Sequence, residues 1–267
     1  MSTATLFAFP SHVLWIAALV VALLILATWL LSLRLRDASV IDPLWGPAFV
    51  AVALVAALAG GGDSGRRLLL LAMTAIWGLR LGLHLTRRKL GEREEDRRYR
   101  AMRERHPHDF ALWSLYSVYL VQGVMVLFIS LPLQASAERH SALSAAVIPG
   151  IAVFLVGLLF EAVGDEQLRR FRGDPASRGQ VMDRGLWRYT RHPNYFGDAC
   201  VWWGLYLVAL TAGATWWTVV GPLLMTFFLT NVSGKGLMEK EIGQRRPGYA
   251  EYVRRTSGFL PLPPKRG

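Results

Sequence analysis

Residues 12–33 read HVLWIAALVVALLILATWLLSL, 22 positions without an acidic or basic residue other than the leading histidine. As a helix rising 1.5 Å per residue, the run is about 33 Å long, enough to cross a hydrocarbon core of about 30 Å. It is too long for the apolar heart of a signal peptide, and Arg34 and Arg36 follow it where a small-residue cleavage site would stand. We therefore read it as a retained membrane helix. Working outward, comparable runs fall at 40–58, 68–86, 112–133, 143–163, 195–211 and 216–232. No hydrophilic stretch between them is long enough for a soluble domain. The expected fold is all-α: a polytopic membrane bundle of about seven transmembrane helices, forming one domain over residues 1–267. Residues 12–133 are expected on the substrate side, and 143–267 are expected to bind a cofactor.

Composition agrees with that reading. Lys and Arg total 30 and Asp and Glu 19, a formal net charge of +11, yet only 18% of residues are charged and 53% are apolar. A soluble nucleic-acid binder would be rich in charge and average in apolar content. The mean hydropathy of +0.31 also excludes a disordered chain. Cys200 is the single cysteine, so no internal disulfide forms.

The charge is distributed unevenly. With the N-terminus outside, the inner segments 34–37, 87–109, 166–194 and the tail from 233 carry 26 of the 30 Lys and Arg residues. This positive-inside bias puts the C-terminus in the cytoplasm and any polar cofactor on the cytoplasmic face. Arg66 and Arg67 dissent on the outer side.

Several signals carry less. Gly60 to Gly65 fits G-x-G-x-x-G but joins two membrane helices, so a flexible turn is expected rather than a dinucleotide loop. Residues 87–106 are dense in both charges and read as a solvated, salt-bridged helix or a patch on lipid headgroups. They lack the interleaved aromatics of nucleic-acid binding. No metal site is expected: His106 and His108 flank a proline and lack the spacing of a helical zinc pair. Nothing supports a nucleophile elbow.

Five constellations carry chemistry, because ionisable groups near membrane depth are costly. Asp42, before Pro43, is either the N-cap of a helix or a proton-donating acid beside Trp45. Arg80 and His84 share a helix face with Trp77, and Arg80 either snorkels or pairs with Asp42. Glu161, Asp165 and Arg169 are spaced by four and followed by Arg172. The spacing predicts an Asp165–Arg169 salt bridge or a rim gripping phosphate. The stretch Asp183 to Asp198 (DRGLWRYTRHPNYFGD) crowds basic groups before a helix starting after Pro193, a setting that favours an anion. Asn194 and Asp198 then lie on one face of that helix. In the tail, Tyr249 and Tyr252 follow Arg246 in an amphipathic, Pro-ended segment.

At these residues the chain resembles the steroid 5α-reductase family and its bacterial relatives of unassigned function. That family carries N-x-x-x-D-x-x-L-R-x-x-R followed by G-G-L-F-x-Y-V-S-x-A-N-F-x-G-E. Here the same spacing runs from Glu161 to Arg172 and then from Arg184 to Asp198. The resemblance implies NADPH bound from the cytoplasmic side by Asp165, Arg172, Tyr189, Asn194 and Asp198. It also implies closure over the cofactor by Arg246, Tyr249 and Tyr252. Arg169, Arg191, His192 and Tyr195 complete the expected cofactor set. The chain departs from the family at Glu161, where the family has Asn, at Asp42 for its acidic Glu, and at Trp77 for its proton-donating Tyr.

The string Arg191-His192-Pro193-x-Tyr195-x-Gly197 and a tail with Glu239, Glu241, Tyr249 and Tyr252 also resemble isoprenylcysteine and phospholipid methyltransferases, which bind S-adenosylmethionine. The expectation is an NADPH-dependent membrane reductase of a C=C bond in a lipid-like or steroid-like substrate, in the bacterial inner membrane. Asp42, with Arg80 or His84, is expected to stabilise charge or supply the proton. The alternatives are an S-adenosylmethionine-dependent methyltransferase and a non-enzymatic scaffold. The expected partners are the bilayer and an apolar small molecule, without nucleic acid.

Overall fold

The computed structural model describes residues 11–91, 94–213, 215–234 and 248–265. Among these residues the chain is helical, without named strands. Five helical spans are long and apolar enough to cross a membrane: His12–Leu35, Ala38–Ala59, Ser64–Gly91, Phe110–Ile129 and Ala145–Gly173. The chain is thus an integral membrane protein. The segments read at 195–211 and 216–232 are also largely helical but are not among these five.

The chain divides into two compact units, one of Met1–Ala146 with Val208–Gly221, the other of Val147–Leu207 with Pro222–Gly267. In the first unit, α1 (Ser11–Leu35) is followed by a short 3-10 helix (Ala38–Leu44), α2 (Trp45–Ala59) and α3 (Ser64–Gly91). Next come the charged α4 (Arg97–Arg105), α5 (Phe110–Ile129) and α6 (Leu131–Ser136). Residues Leu115–Leu120 of α5 are π-helical.

Glycines let α2 and α3 meet backbone to backbone. A Cβ on Gly46 would lie 2.1 Å from the Gly78 carbonyl oxygen, and one on Gly82 would lie 2.8 Å from Pro47. Beside this contact Phe49 packs between Trp45 and Trp77, at 5.2 and 5.7 Å between ring centroids.

The glycine run at 60–65 is not a loose turn. Gly62 and Asp63 donate their amides to the carbonyls of Ala137 and Arg139, at 2.8 and 2.9 Å. A Cβ on Gly62 would lie 2.5 Å from the Arg139 oxygen, so the glycine is there for close approach. The dissenting Arg66 is fully buried and donates to the carbonyls of Ser141, Ala142 and Thr211. It straps the turns of the first unit together.

The second unit contains α7 (Ile148–Gly173), all but the last turn of α8 (Pro193–Leu210), most of α9 (Val220–Phe227) and α10 (Tyr249–Arg255). Helix α7 runs ten residues past the apolar boundary at 163, so Glu161, Asp165, Arg169 and Arg172 share one helix. Gly157 and Gly164 on α7 and Gly197 and Gly204 on α8 recur every seven residues. A Cβ on Gly197 would lie 2.5 Å from the Glu161 amide nitrogen, and one on Gly204 would lie 2.6 Å from that of Phe154. The seam draws the two helices together along the face that carries the acidic residues.

Candidate functional site

The first unit gathers its polar groups around the 3-10 helix. Asp37 caps that helix by accepting from the Ser39 amide, and Lys89 of α3 pairs with the same carboxylate. The cap is therefore Asp37. Asp42 lies inside the 3-10 helix, which corrects its reading as an N-cap: the helical turn already begins at Ala38.

The charged segment folds onto this turn. Glu95 accepts from the Ala38 amide at 2.8 Å and from the fork of Arg103 at 2.8 and 3.0 Å. It thereby satisfies a backbone donor that the start of a helix leaves open. Tyr99, almost fully buried, donates its hydroxyl to Oδ1 of Asp42 at 2.7 Å. Arg98 donates to Oδ2 at 3.1 Å and also binds Asp96, the N-cap of α4. On α5, Tyr119 donates to the Ala38 carbonyl at 3.0 Å.

Electrostatics follow from this packing. Burial, together with the Asp42 carboxylate that accepts its proton, pushes the Tyr99 phenol well above its ordinary value. Burial also works to raise Asp96, but hydrogen bonds from Arg98 and the charges of Arg98 and Arg88 outweigh it and hold the carboxyl low. Asp37 is low for the same reason, with Lys89 and Ser39 opposing its burial. A small cleft opens here, lined by Ser39, Asp42, Pro43, Leu85, Arg88, Lys89 and Asp96. Arg80 and His84 are half-buried, about two turns and one turn before Arg88 on α3. Trp77 is sealed in the aromatic core.

In the second unit Glu161, Asp165 and Asp198 are buried at 2%, 7% and 8% exposure. Asn194 donates its side-chain amide to Asp165 at 3.1 Å, joining α7 to the start of α8. Arg169 forks onto Glu166 at 2.7 and 2.8 Å, so the Asp165–Arg169 bridge that the spacing predicts is replaced by an exposed pair three residues apart. Asp165 turns inward to Asn194 instead. Arg172 is exposed and lines a cleft with Phe171, Asp174, Ser177, Arg178 and Gly179.

The basic turn before α8 is tied to the tail. Arg191 gives its Nη1 protons to the carbonyls of Val253 and Thr256, at 3.1 and 2.6 Å. His192 stacks on Tyr195 with ring centroids 5.2 Å apart. Tyr189 is 43% exposed, and its carbonyl accepts from the Leu262 amide. Tyr252 donates its hydroxyl to the Trp187 carbonyl at 2.6 Å and stands 5.9 Å from Tyr249 between ring centroids. Arg246, Glu239 and Glu241 lie outside the described residues. Gly185 has φ +59, and Gln167 crosses it to accept from the Leu186 amide.

A model of the family described as "Protein of unknown function (DUF1295)" matches residues 28–256. The chain belongs to that family. The match covers both polar regions, from Asp42 to Tyr252. No curated protein and no solved structure matches the chain.

Sequence reasoning did not find Tyr99, Arg98 and Glu95, which lie in a run that reads as a solvated face. The lone aromatic inside that run was the only available signal. Trp187 and Gln167 gave none, because their work is done on backbone groups. Among the described residues no three His, Cys, Asp or Glu side chains form a group able to hold a metal.

Proposed function

We propose that this protein is a membrane-embedded, NADPH-dependent reductase of a C=C bond in a lipid-like or steroid-like substrate. The observation that carries the reading is the Tyr99 hydroxyl aimed at Asp42 beside Arg98. Reducing a C=C bond delivers hydride to one carbon and a proton to the other. The buried phenol keeps its proton at neutral pH, and a substrate that displaces Asp42 as its acceptor can take that proton or draw the hydroxyl to a developing oxyanion. Asp42 orients the hydroxyl and Arg98 balances the carboxylate.

The second unit fits a phosphorylated nucleotide. Arg172 and Arg178 offer exposed guanidinium groups on one cleft. Asp165 and Asn194 lie seven residues back on α7 and at the start of α8, about 10 Å away along the α7 axis. A buried carboxylate and amide suit ribose hydroxyls, and exposed arginines suit phosphates. NADPH, when bound, supplies the hydride. The proposal keeps seven transmembrane helices, an outer N-terminus and a cytoplasmic cofactor side in a bacterial inner membrane, supported by the Lys and Arg asymmetry. Asp42 acts on the substrate through the Tyr99 hydroxyl, and His84, next to the cleft residue Leu85 on α3, and Arg80, one turn before it, are its expected helpers.

One observation favours a second reading. Three buried carboxylates on α7 and α8 suit a cationic cofactor, and S-adenosylmethionine carries a sulfonium and an ammonium. Titration of the detergent-solubilised protein with NADPH and with S-adenosylmethionine separates the two. Binding of NADPH, abolished in Asn194→Ala, supports the reductase. Protection by S-adenosylmethionine alone overturns it in favour of a methyltransferase, and binding of neither favours the scaffold.

A further inference from the structure

The tail of the second unit is bound to the turn before α8 at every step. The Arg191 amide donates to the Ser257 carbonyl at 2.9 Å, and Thr190 and Ser257 form a parallel bridge. The Thr190 hydroxyl donates to the Phe259 carbonyl at 2.8 Å. The Leu262 amide returns to the Tyr189 carbonyl at 3.0 Å. Arg191 meanwhile caps the carbonyl end of α10 through Val253 and Thr256, where helix polarity favours a cation.

A second line of contacts runs inward. Tyr252 donates to the Trp187 carbonyl, and the Trp187 indole N–H donates to the Gly164 carbonyl at 3.0 Å. Tyr252 and Trp187 are both buried. Gly164 immediately precedes Asp165. A Cβ on Gly164 would stand 3.2 Å from the Pro193 ring and 3.3 Å from the Asn194 amide nitrogen. The one residue on which Trp187 rests is thus also the residue on which the start of α8 sits.

We propose that Tyr252 and Trp187 are positioning residues, and that the C-terminal segment is a clasp that sets Asn194 against Asp165. A turn with several basic groups would otherwise repel itself and wander. Here its backbone is held from outside by the tail and from below by α7. Tyr252 then acts on a bound nucleotide through Trp187 and Gly164, without touching it. The effect on nucleotide affinity rests on the reading in the preceding section; the clasp itself does not.

The test measures amide hydrogen exchange and affinity for NADPH and S-adenosylmethionine on the full solubilised chain. Tyr252→Phe removes one hydroxyl and keeps the ring. Exchange over 187–195 and 258–265 is expected to quicken about fivefold, the equivalent of one ordinary hydrogen bond. Peptides from 150–160 are expected to stay unchanged, while affinity for whichever cofactor binds falls by a similar factor. Trp187→Phe, which removes the indole N–H and also shrinks the ring, is expected to quicken exchange in the same peptides, and the double variant less than the product of the two. Unchanged exchange at 187–195, or a rise spread equally over 150–160, overturns the clasp. If exchange quickens locally but the unsubstituted protein binds neither NADPH nor S-adenosylmethionine, the clasp stands and the reductase reading falls.

Discussion

Tyr99 of α4 gives its hydroxyl proton to a 2.7 Å hydrogen bond with Asp42, a residue 57 positions earlier in the chain. Arg98, its neighbour, reaches the other oxygen of the same carboxylate. Two adjacent residues of a charged run thus address both faces of one acid. If Tyr99 is the proton donor, Tyr99→Phe lowers turnover by about 10²- to 10⁴-fold. Nucleotide affinity should stay within about twofold, since a general acid acts on the reaction and not on cofactor binding. Parallel steady-state and binding measurements check this, and a loss confined to affinity would remove Tyr99 from the chemistry.

Alkaline stability should report on the same phenol. Its folded value is raised above the unfolded one of about 10. Its contribution is therefore complete below about pH 10 and is lost as pH rises through the folded value. Melting temperatures followed from about pH 9 upward should fall less steeply in Tyr99→Phe than in the unsubstituted protein.

The acid side has the opposite sign. Asp37 and Asp96 are held below their ordinary value near 4, so their contribution is complete above that pH and disappears as pH falls through the lowered values. Asp37→Asn removes the charge that pairs with Lys89 and keeps a side-chain oxygen able to cap. The variant should be less stable at neutral pH and lose less on acidification. Equal losses in both proteins would mean that the pair contributes nothing.

Helix contacts give a sharper contrast. Gly46→Ala drives a methyl group onto the Gly78 carbonyl, 2.1 Å away, with backbone on both sides. It should cost about 1–3 kcal/mol or more by forcing α2 from α3. Gly91→Ala, at the end of α3, meets nothing within 4 Å and should be neutral or stabilising by about 0.4–1 kcal/mol. Thermal unfolding in one detergent compares the two directly.

Arg66→Met keeps an unbranched apolar stem and removes the donors to Ser141, Ala142 and Thr211. Leaving part-buried carbonyls without their cation should cost about 2–3 kcal/mol. Arg105→Met, at an exposed position, is the surface comparison and should cost far less.

Much of the architecture is legible in the order of residues. The run at 12–33 needs no partner to be recognised, because burying apolar length in lipid is a local property of the segment. All five spans that qualify overlap a run read from the sequence. The seam of α7 and α8 was less visible. Glycines at 157, 164, 197 and 204 repeat every seven residues, but the repeat does not say which helix lies opposite. The Asp165–Asn194 pair was legible as two candidates and not as a contact. Arg169 and Arg191 show the limit from the other side. Both are cations where a phosphate is expected, yet one is engaged by Glu166 and the other holds carbonyls of the tail.

Sequence alone determined that this chain lives in a membrane, that its charge is concentrated in the segments between apolar runs, and that the acidic residues at 161, 165 and 198 lie in or beside such runs. Those are properties of single segments, set by transfer of side chains between water and lipid. Only the tertiary structure decided that the charged run 94–105 closes on the 3-10 helix at 38–44. It also decided that Tyr99 meets Asp42, and that the tail from 249 braces the turn at 187–192. These contacts join groups far apart in the chain through one or two hydrogen bonds each. Their strength comes from shared burial, which no local pattern records.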